Sequence, residues 1–265
     1  MNDFFAVTEQ FYFMNKYETF LELHRQSEPV ILANSWNVYS AKLAEMNGYK
    51  AIATSSLAIA VSLGYEDGEN IPFSELLFMV KKIVAGVELP VSVDMEAGYA
   101  DTVDEIISNV DQLVDAGAVG INFEDAKKRK LMDADGFSEK IKAIKEHLNT
   151  TGRQLFINAR TDGYLLKDPT PQATTLDRIK KYEAAGASGI FVPFVSDLDA
   201  IKEITDSVSL PVNVLSMPGL PSFDALAKAG VHRISFGSTL FRAAYKHTET
   251  LIRNIHAEQS VQGLF

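Results

Sequence analysis

Short apolar runs alternate with amphipathic stretches along the whole chain. A helix-like end, a glycine and an apolar run follow one another four times, at residues 46–52, 115–121, 184–190 and 228–234. Glycine suits the left-handed conformation that ends a helix, so each phrase predicts a helix end followed by a buried strand. Proline, which is tolerated at the first residue of a strand, opens three further runs, at 29–32, 90–93 and 211–214. Residues 154–159 supply an eighth predicted strand.

Most stretches between these strands predict helices, because apolar residues recur there at helical spacing. The predicted helices span residues 73–87, 101–116, 138–148, 174–185, 198–205, 223–228 and 239–256. Alternating strands and helices imply a parallel sheet. Eight strands without a linker favour a single (β/α)₈ TIM-type barrel over 1–265, rather than an open doubly wound α/β sheet. An extra helix at 8–26 is expected to cover the bottom of the barrel.

Composition narrows the classes of partner. The chain has 265 residues, 46% of them hydrophobic, and a formal net charge of −10. This acidic balance disfavours nucleic acid and anionic membranes, because phosphate groups need clustered Lys and Arg. The absence of cysteine excludes disulfides, thiolate metal sites and a cysteine nucleophile, and it agrees with a cytoplasmic location. We expect no signal peptide at the start of the chain and no apolar stretch that spans a membrane.

Two acids stand at the end of the predicted strand whose first residues are 90–93. Period-two alternation places Asp94 and Glu96 on the same side, where they would repel each other unless a cation lay between them. Carboxylate oxygens suit Mg²⁺ or Mn²⁺. The alternative interpretation is a solvated strand end that carries two acids.

The ends of neighbouring strands strengthen the metal interpretation. Chemistry in a barrel of this kind belongs at the carboxyl ends of the strands. Glu124 lies one strand away from the acid pair, and Arg160 lies one strand beyond Glu124. Arginine binds carboxylates and phosphates in a bidentate manner, which suits a small anionic substrate. The alternative for Arg160 is a structural ion pair with Asp125 or Asp162.

Motifs at these positions resemble the phosphoenolpyruvate mutase/isocitrate lyase superfamily. They are Asn34-Ser35-Trp36-Asn37, Ala53-Thr54-Ser55-Ser56, residues 62–67, Val93-Asp94-Met95-Glu96-Ala97-Gly98-Tyr99, residues 120–125 and Asn158-Ala159-Arg160-Thr161-Asp162. The resemblance implies a modified (β/α)₈ barrel whose last helix often swaps between subunits of a homodimer or homotetramer. It also implies Mg²⁺, or Mn²⁺, near Asp67, Asp94, Glu96 and Glu124, held partly through water.

Substrates in this superfamily are small α-oxo or 2-hydroxy acids. The residues expected to bind the substrate here are Ser55, Ser56, Trp36 and Arg160. Those expected to take part in catalysis are Arg160, Asp67 and Ser55.

Two departures from the superfamily pattern bear on the reaction. Glu96 stands where aspartate is common. The loop after the fourth strand, residues 126–136, has neither the Cys and His of the isocitrate lyase type nor the Asn or Thr of the phosphonate type. Its basic run, Lys127 to Lys130, is either a lid over an anionic substrate or a solvated face.

The leading hypothesis is a Mg²⁺-dependent carbon–carbon lyase or decarboxylase that acts on a small α-oxo or hydroxy (di)carboxylate through a metal-stabilised enolate. No side chain is an evident proton donor for a leaving fragment, which favours loss of CO₂. The alternative is a mutase or hydrolase that acts on a C–P bond. A barrel that only binds a metabolite is the alternative outside enzymes.

Overall fold

Eight parallel strands close into a barrel in the computed structural model, which describes residues 15–265. The barrel strands are β1 Val30–Ser35, β2 Ile52–Thr54, β3 Val91–Asp94, β4 Gly120–Glu124, β7 Phe156–Arg160, β8 Gly189–Val192, β9 Val212–Leu215 and β10 Val231–Ser235. Each pairs with its neighbour in chain order, and β10 returns to β1. A short hairpin of β5 Ala126–Lys127 and β6 Lys130–Leu131 follows β4. The predicted (β/α)₈ TIM-type fold is confirmed.

Helices fill the connections between the strands. They are α1 Lys16–Leu23, α2 Val38–Met46, α3 Ser56–Ser62, α4 Phe73–Gly86, α5 Val103–Asp115, α6 Ala134–Thr151, α7 Pro171–Ala184, α8 Leu198–Asp206, α9 Phe223–Lys228 and α10 Thr239–Glu258. Side chains cap several of them. At α5, for example, Thr102 accepts from the Glu105 backbone N–H, and the Glu105 carboxylate accepts from Thr102 in return. All seven predicted stretches are helical.

Helix α1 closes the bottom of the barrel. Its Phe20 is fully buried and packs edge-on against Phe156, the first residue of β7. His24, which follows the helix, stacks on the same Phe156 ring at 4.6 Å between centroids. This confirms the described part of the extra helix expected at 8–26, whereas residues 8–14 lie outside the described part of the chain.

Two helices and the hairpin do not follow from the hydrophobic pattern. Helix α3 is apolar nearly all round because it is largely buried, so it lacks the spacing of an amphipathic helix. In α2 the buried positions are the alanines Ala41 and Ala44, whereas Tyr39 and Met46 face outward. This reversal removes the usual contrast between an apolar and a polar face.

None of the helices between residues 15 and 265 is both long enough and apolar enough to cross a membrane.

Candidate active site

A cavity of about 1140 Å³ opens at the carboxyl ends of the barrel strands. It gathers most of the residues singled out from the sequence: Ser55, Ser56, Asp67, Asp94, Glu96, Glu124 and Arg160 all line it. Four of these are acids, and they come from three segments of the chain. The acids at the strand ends, Arg160 and Asp67 thus line one cavity, and their roles in binding a metal and a substrate stay predictions.

The two carboxylate oxygens of Asp94 have different surroundings. Oδ2 accepts hydrogen bonds from the backbone N–H of Ser56 at 3.2 Å and from its hydroxyl at 2.8 Å. Oδ1 is buried and has no hydrogen-bond partner among the described residues. Ser56, expected to bind substrate, therefore holds Asp94 in place, and Oδ1 is left available to a ligand.

Glu96 is buried just beyond the end of β3. Its backbone has a positive φ of 46°, and its Oε1 accepts a 2.6 Å hydrogen bond from the hydroxyl of Tyr99. Burial raises the pKa of Glu96 to about 8; the Tyr99 hydrogen bond opposes this, while repulsion from Asp94 and Asp67 adds to it. The acids are thus close enough to affect one another's charge.

Asp67 belongs to the segment between α3 and α4. Burial and the neighbouring charge of Asp94 raise the pKa of its carboxyl, and the guanidinium groups of Arg160 and Arg242 act in the opposite direction. This mutual repulsion is what a divalent cation would relieve.

The acids fit a hydrated divalent cation better than a fully enclosed one. Carboxylate oxygens are hard donors, and Asp94 has a buried oxygen without a partner. Within residues 15–265, however, no three Asp, Glu or His side chains already converge as a complete ligand set. Mg²⁺ commonly keeps several waters and takes one or two carboxylates, so Asp67, Asp94, Glu96 and Glu124 suit it.

Arg160, the last residue of β7, is engaged by two acids. Its Nη1 lies 2.7 Å from Glu124 Oε2, while Nε and Nη2 donate to the two oxygens of Asp162 at 2.7 and 2.8 Å. Burial lowers the pKa of the guanidinium, but the carboxylates of Glu124 and Asp162 raise it more, so Arg160 stays charged. Arg160 therefore forms the structural ion pair with Asp162, and it also lines the cavity.

Asp125, the other partner considered for Arg160, is used elsewhere. Its buried carboxylate accepts from Arg178 at 2.9 Å and from the Tyr182 hydroxyl at 2.6 Å. It also accepts from the backbone N–H of Asp162 at 3.0 Å, which fixes the turn after β7. Asp125 supports the site from behind the cavity wall.

Ser55 and Trp36, both expected to bind substrate, differ in whether they line the cavity. Ser55 lines the cavity, and its hydroxyl caps α3 by accepting from the Ala58 N–H at 3.3 Å. Trp36 does not line the cavity: its ring packs edge-on against Phe241 of α10, with 5.3 Å between ring centroids. The expectation that Trp36 binds substrate is corrected accordingly, because its indole is used in packing the last helix.

The β5–β6 hairpin forms one wall of the cavity. Lys127 Nζ lies 2.7 Å from Asp101 Oδ1 and 3.6 Å from Glu69 Oε2, and it donates to the Ala100 carbonyl at 3.0 Å. Lys128 and Arg129 form the turn, both with positive φ, and line the cavity. The hairpin was missed because such turns usually carry Asn-Gly, so a Lys-Arg pair gives no turn signal.

Comparisons with protein families, with known proteins and with solved structures point to one family. A family model described as phosphoenolpyruvate phosphomutase matches residues 20–256. The chain is 38% identical over 225 residues to an uncharacterized protein of Mycobacterium tuberculosis, covering 85% of this chain and 84% of that protein. It is 35% identical to the crystal structure of a putative phosphonomutase from Burkholderia cenocepacia, with a TM-score of 0.85 and coverage of 90% and 99%.

Two relatives with named reactions match at lower identity. A 2-methylisocitrate lyase of Aeropyrum pernix is 29% identical over 243 residues, which cover 88% of this chain and 78% of that protein. Oxaloacetate decarboxylase 1 of Pseudomonas fluorescens is 27% identical over 230 residues, with coverage of 83% and 78%. The relatives therefore include C–C bond lyases as well as a protein named for C–P chemistry.

Proposed function

Because the chain belongs to the phosphoenolpyruvate mutase/isocitrate lyase superfamily, we propose that it is a Mg²⁺-dependent lyase or decarboxylase of a small α-oxo or 2-hydroxy (di)carboxylate. The observation that carries the proposal is Asp94, whose unpartnered oxygen shares the cavity with three further acids and a charged arginine. A site of this kind holds a divalent cation and an organic acid together.

The chain's own residues have separate roles in this proposal. Asp67, Asp94, Glu96 and Glu124 would hold the cation, partly through water. When bound, the cation supplies a Lewis acid for the oxygens of an α-oxo acid. Arg160 would bind a carboxylate of the substrate, and the hydroxyl of Ser55 would donate to another oxygen, since the Ser55 backbone N–H already donates to the Ser35 carbonyl. The hairpin with Lys127 excludes water from one side of the cavity.

Decarboxylation fits the cavity lining better than release of a larger acid. Loss of CO₂ from an α-oxo acid leaves an enolate that a proton from water converts into the product, and no base is needed. Cleavage of a 2-hydroxy acid also leaves an enolate to be protonated, but it additionally needs a base that removes the proton of the hydroxyl group. The chain has no cysteine, and none of its described histidines lines the cavity. The similarity to an oxaloacetate decarboxylase agrees with this preference.

A C–P bond reaction is the second candidate. Lys128 and Arg129 of the hairpin and Arg242 of α10 line the same cavity, and clustered cations of this kind bind phosphoryl oxygens. The similarity to a structure described as a putative phosphonomutase supports this candidate.

Substrate turnover separates the candidates. The purified protein is incubated with Mg²⁺ and oxaloacetate, an isocitrate-type acid or phosphonopyruvate, and pyruvate, glyoxylate and phosphorus-containing products are followed. We expect pyruvate from oxaloacetate, and its formation should be lost in Arg160→Ala while the fold stays intact. Turnover of phosphonopyruvate alone would favour the C–P reaction. Binding of Mg²⁺ and an α-oxo acid without any turnover would favour a metabolite-binding barrel.

A further inference from the structure

The interior of the barrel around and beneath the acid cluster is polar. Its buried polar side chains include Asn34 of β1, Asn122 of β4, Asn158 of β7, Asn213 of β9 and Arg233 of β10. Barrels of this class usually fill their interior with Val, Ile and Leu. Buried polar groups destabilise a fold unless they are paired. We therefore expect the polar side chains in this interior to have a function.

Arg233 crosses the barrel from one side to the other. It lies on β10, and β10 and β4 are opposite each other in the strand order. Its Nη2 donates to Asn122 Oδ1 on β4 at 3.1 Å, and its Nε donates to Ser235 Oγ at 3.2 Å. No carboxylate between residues 15 and 265 lies within ion-pair distance of this buried cation. Its direct contacts are therefore with neutral partners, of which Asn122 lies in the cavity wall.

The contact with Arg233 determines how the Asn122 amide is turned. Asn122 Oδ1 accepts from both Arg233 Nη2 and Asn158 Nδ2, the latter at 2.9 Å. A guanidinium can only donate, so the oxygen of Asn122 must face it and the amide nitrogen must face away. In the described part of the chain, this nitrogen donates to no protein acceptor and is absent from the buried atoms that lack partners. It is therefore open to the cavity that Asn122 lines.

The amide of Asn122 lies next to the acids of the cavity. Asn122 pairs in register with Asp94 on β3 and with Asn158 on β7. It thus lies beside the acid with the unpartnered oxygen. Carboxylates accept hydrogen bonds but cannot donate them to the oxygens of an anionic substrate. A donor on the cavity floor supplies what the surrounding acids lack.

We propose that Asn122 binds an oxygen of the anionic substrate through its amide nitrogen, and that Arg233 is the positioning residue that holds this amide in place. The proposal rests on the proposed function only in taking the cavity as the binding site of a small carboxylic acid. Asn122 contacts the substrate, whereas Arg233 acts through Asn122 from the interior of the barrel.

Oxalate, a small dicarboxylate that resembles an α-oxo acid, is the probe for Asn122. Its affinity is measured by calorimetry in saturating Mg²⁺, and the affinity for Mn²⁺ alone is measured separately. Loss of one hydrogen bond to a charged ligand predicts that Asn122→Ala binds oxalate about 10- to 100-fold more weakly. Mn²⁺ affinity is expected to change less than about threefold, since Asn122 is not among the cation ligands.

Asn213→Ala is the matched control for Asn122→Ala. Asn213 accepts from Ser235 at 3.1 Å in the same buried network, but it does not line the cavity. It should lose thermal stability and keep its oxalate affinity. Equal oxalate affinity in wild type and Asn122→Ala would overturn the proposal and leave the proposed function standing. If wild type binds neither oxalate nor pyruvate with Mg²⁺, the proposed function fails, and this inference fails with it.

A double-mutant cycle tests the positioning role of Arg233. Arg233→Met should weaken oxalate binding about tenfold in the wild-type background and hardly further in Asn122→Ala, because both changes remove the same contact. Additive effects would assign Arg233 a structural role only. Should Arg233→Met not fold, Asn158→Ala removes the other donor to Asn122, and the same cycle applies. Arg233→Lys, which keeps a donor, should recover part of the affinity.

Discussion

Asp94 has one oxygen held by Ser56 and one without a partner, and this asymmetry makes it the central acid of the cavity. Asp94→Asn keeps the size of the side chain but replaces one carboxylate oxygen with an amide. We expect it to weaken Mn²⁺ binding on the order of 100-fold, because a neutral ligand loses most of its attraction for a hard cation. Electron paramagnetic resonance of free Mn²⁺ measures the change.

Asp104→Asn provides the control for Asp94→Asn. This acid is exposed at the start of α5 and does not line the cavity, so its removal should leave Mn²⁺ affinity unaltered. Unchanged Mn²⁺ binding in both Asp94→Asn and Glu124→Gln would show that the cation binds elsewhere.

His24 makes stability depend on pH. Burial lowers its pKa to about 3, the charge of Arg233 lowers it further, and the 2.7 Å hydrogen bond to the Phe20 carbonyl opposes both. Because the folded pKa lies below the unfolded value of about 6.5, protonation favours the unfolded chain. Its contribution to stability is therefore present above about pH 6.5 and falls as the pH decreases towards 3. Between pH 7.5 and 5 the expected loss is about 2 kcal/mol.

Urea denaturation at pH 7.5 and 5 measures this dependence. His24→Phe, which keeps an aromatic ring against Phe156, should lose less stability than wild type over this interval by about 2 kcal/mol. His247→Gln, at an exposed position of α10 on the side away from Ile252, should behave like wild type. The same pH dependence in His24→Phe and wild type would contradict the assignment.

At the residue scale, sequence patterns predicted which strand ends meet but not how their side chains pair. The acids and Arg160 line one cavity because parallel strands present their carboxyl ends at one edge. The contact of Ser56 with Asp94 and the packing of Trp36 on Phe241 depend on rotamers that no local pattern encodes. The contact between Arg233 and Asn122 joins positions 111 residues apart, across a closed barrel.

At the scale of elements, the hairpin of β5 and β6 is held against the barrel by Lys127. Lys127→Ala removes the contacts with Asp101 and Glu69, both acids of the cavity wall. Partly exposed ion pairs contribute roughly 1 kcal/mol or less each, so we expect KM to rise about 3- to 10-fold. Steady-state kinetics on the substrate found by the turnover assay measures KM, and limited proteolysis should show earlier cleavage in the hairpin.

Lys130→Ala is the control on the same hairpin. Lys130 is exposed and does not line the cavity, so its removal should alter neither KM nor cleavage. If Lys127→Ala also leaves both unchanged, the basic run is a solvated face and not a lid.

Elements were predictable where one face is buried and the other is not. Helices such as α5 carry apolar residues on one side, and their buried positions Ile106, Val110 and Leu113 recur at helical spacing. Helices α2 and α3 break this contrast, the first by exposing apolar side chains and the second by burial. The pattern therefore failed where apolar side chains are exposed, as in α2, and where a helix is buried on nearly all sides, as in α3.

At the scale of the whole molecule, the closed barrel followed from repetition, because four similar helix-to-strand phrases spread along the chain leave few topologies. The oligomeric state could not be predicted from this repetition. The resemblance to the superfamily implies a homodimer or homotetramer with a swapped last helix, and this stays a prediction. Exposed apolar side chains of α2 and α10 agree with it, since Met46 is 78% and Ile252 63% exposed.

Helix α10 provides the sharpest test of this assembly. It has 20 residues, and only Phe241 is buried, so little of the described chain packs against it. Helices gain most of their stability from packing an amphipathic face, which implies that a second copy covers Tyr245 and Ile252. We expect Ile252→Glu to convert a dimer or tetramer into smaller species, since it would bury an unpaired charge. Light scattering after size-exclusion chromatography measures the mass. Asn254→Glu, at an exposed position on the opposite side of the helix, should keep the wild-type mass. A monomeric wild type, or an assembly that Ile252→Glu leaves intact, would show that this face is not the interface.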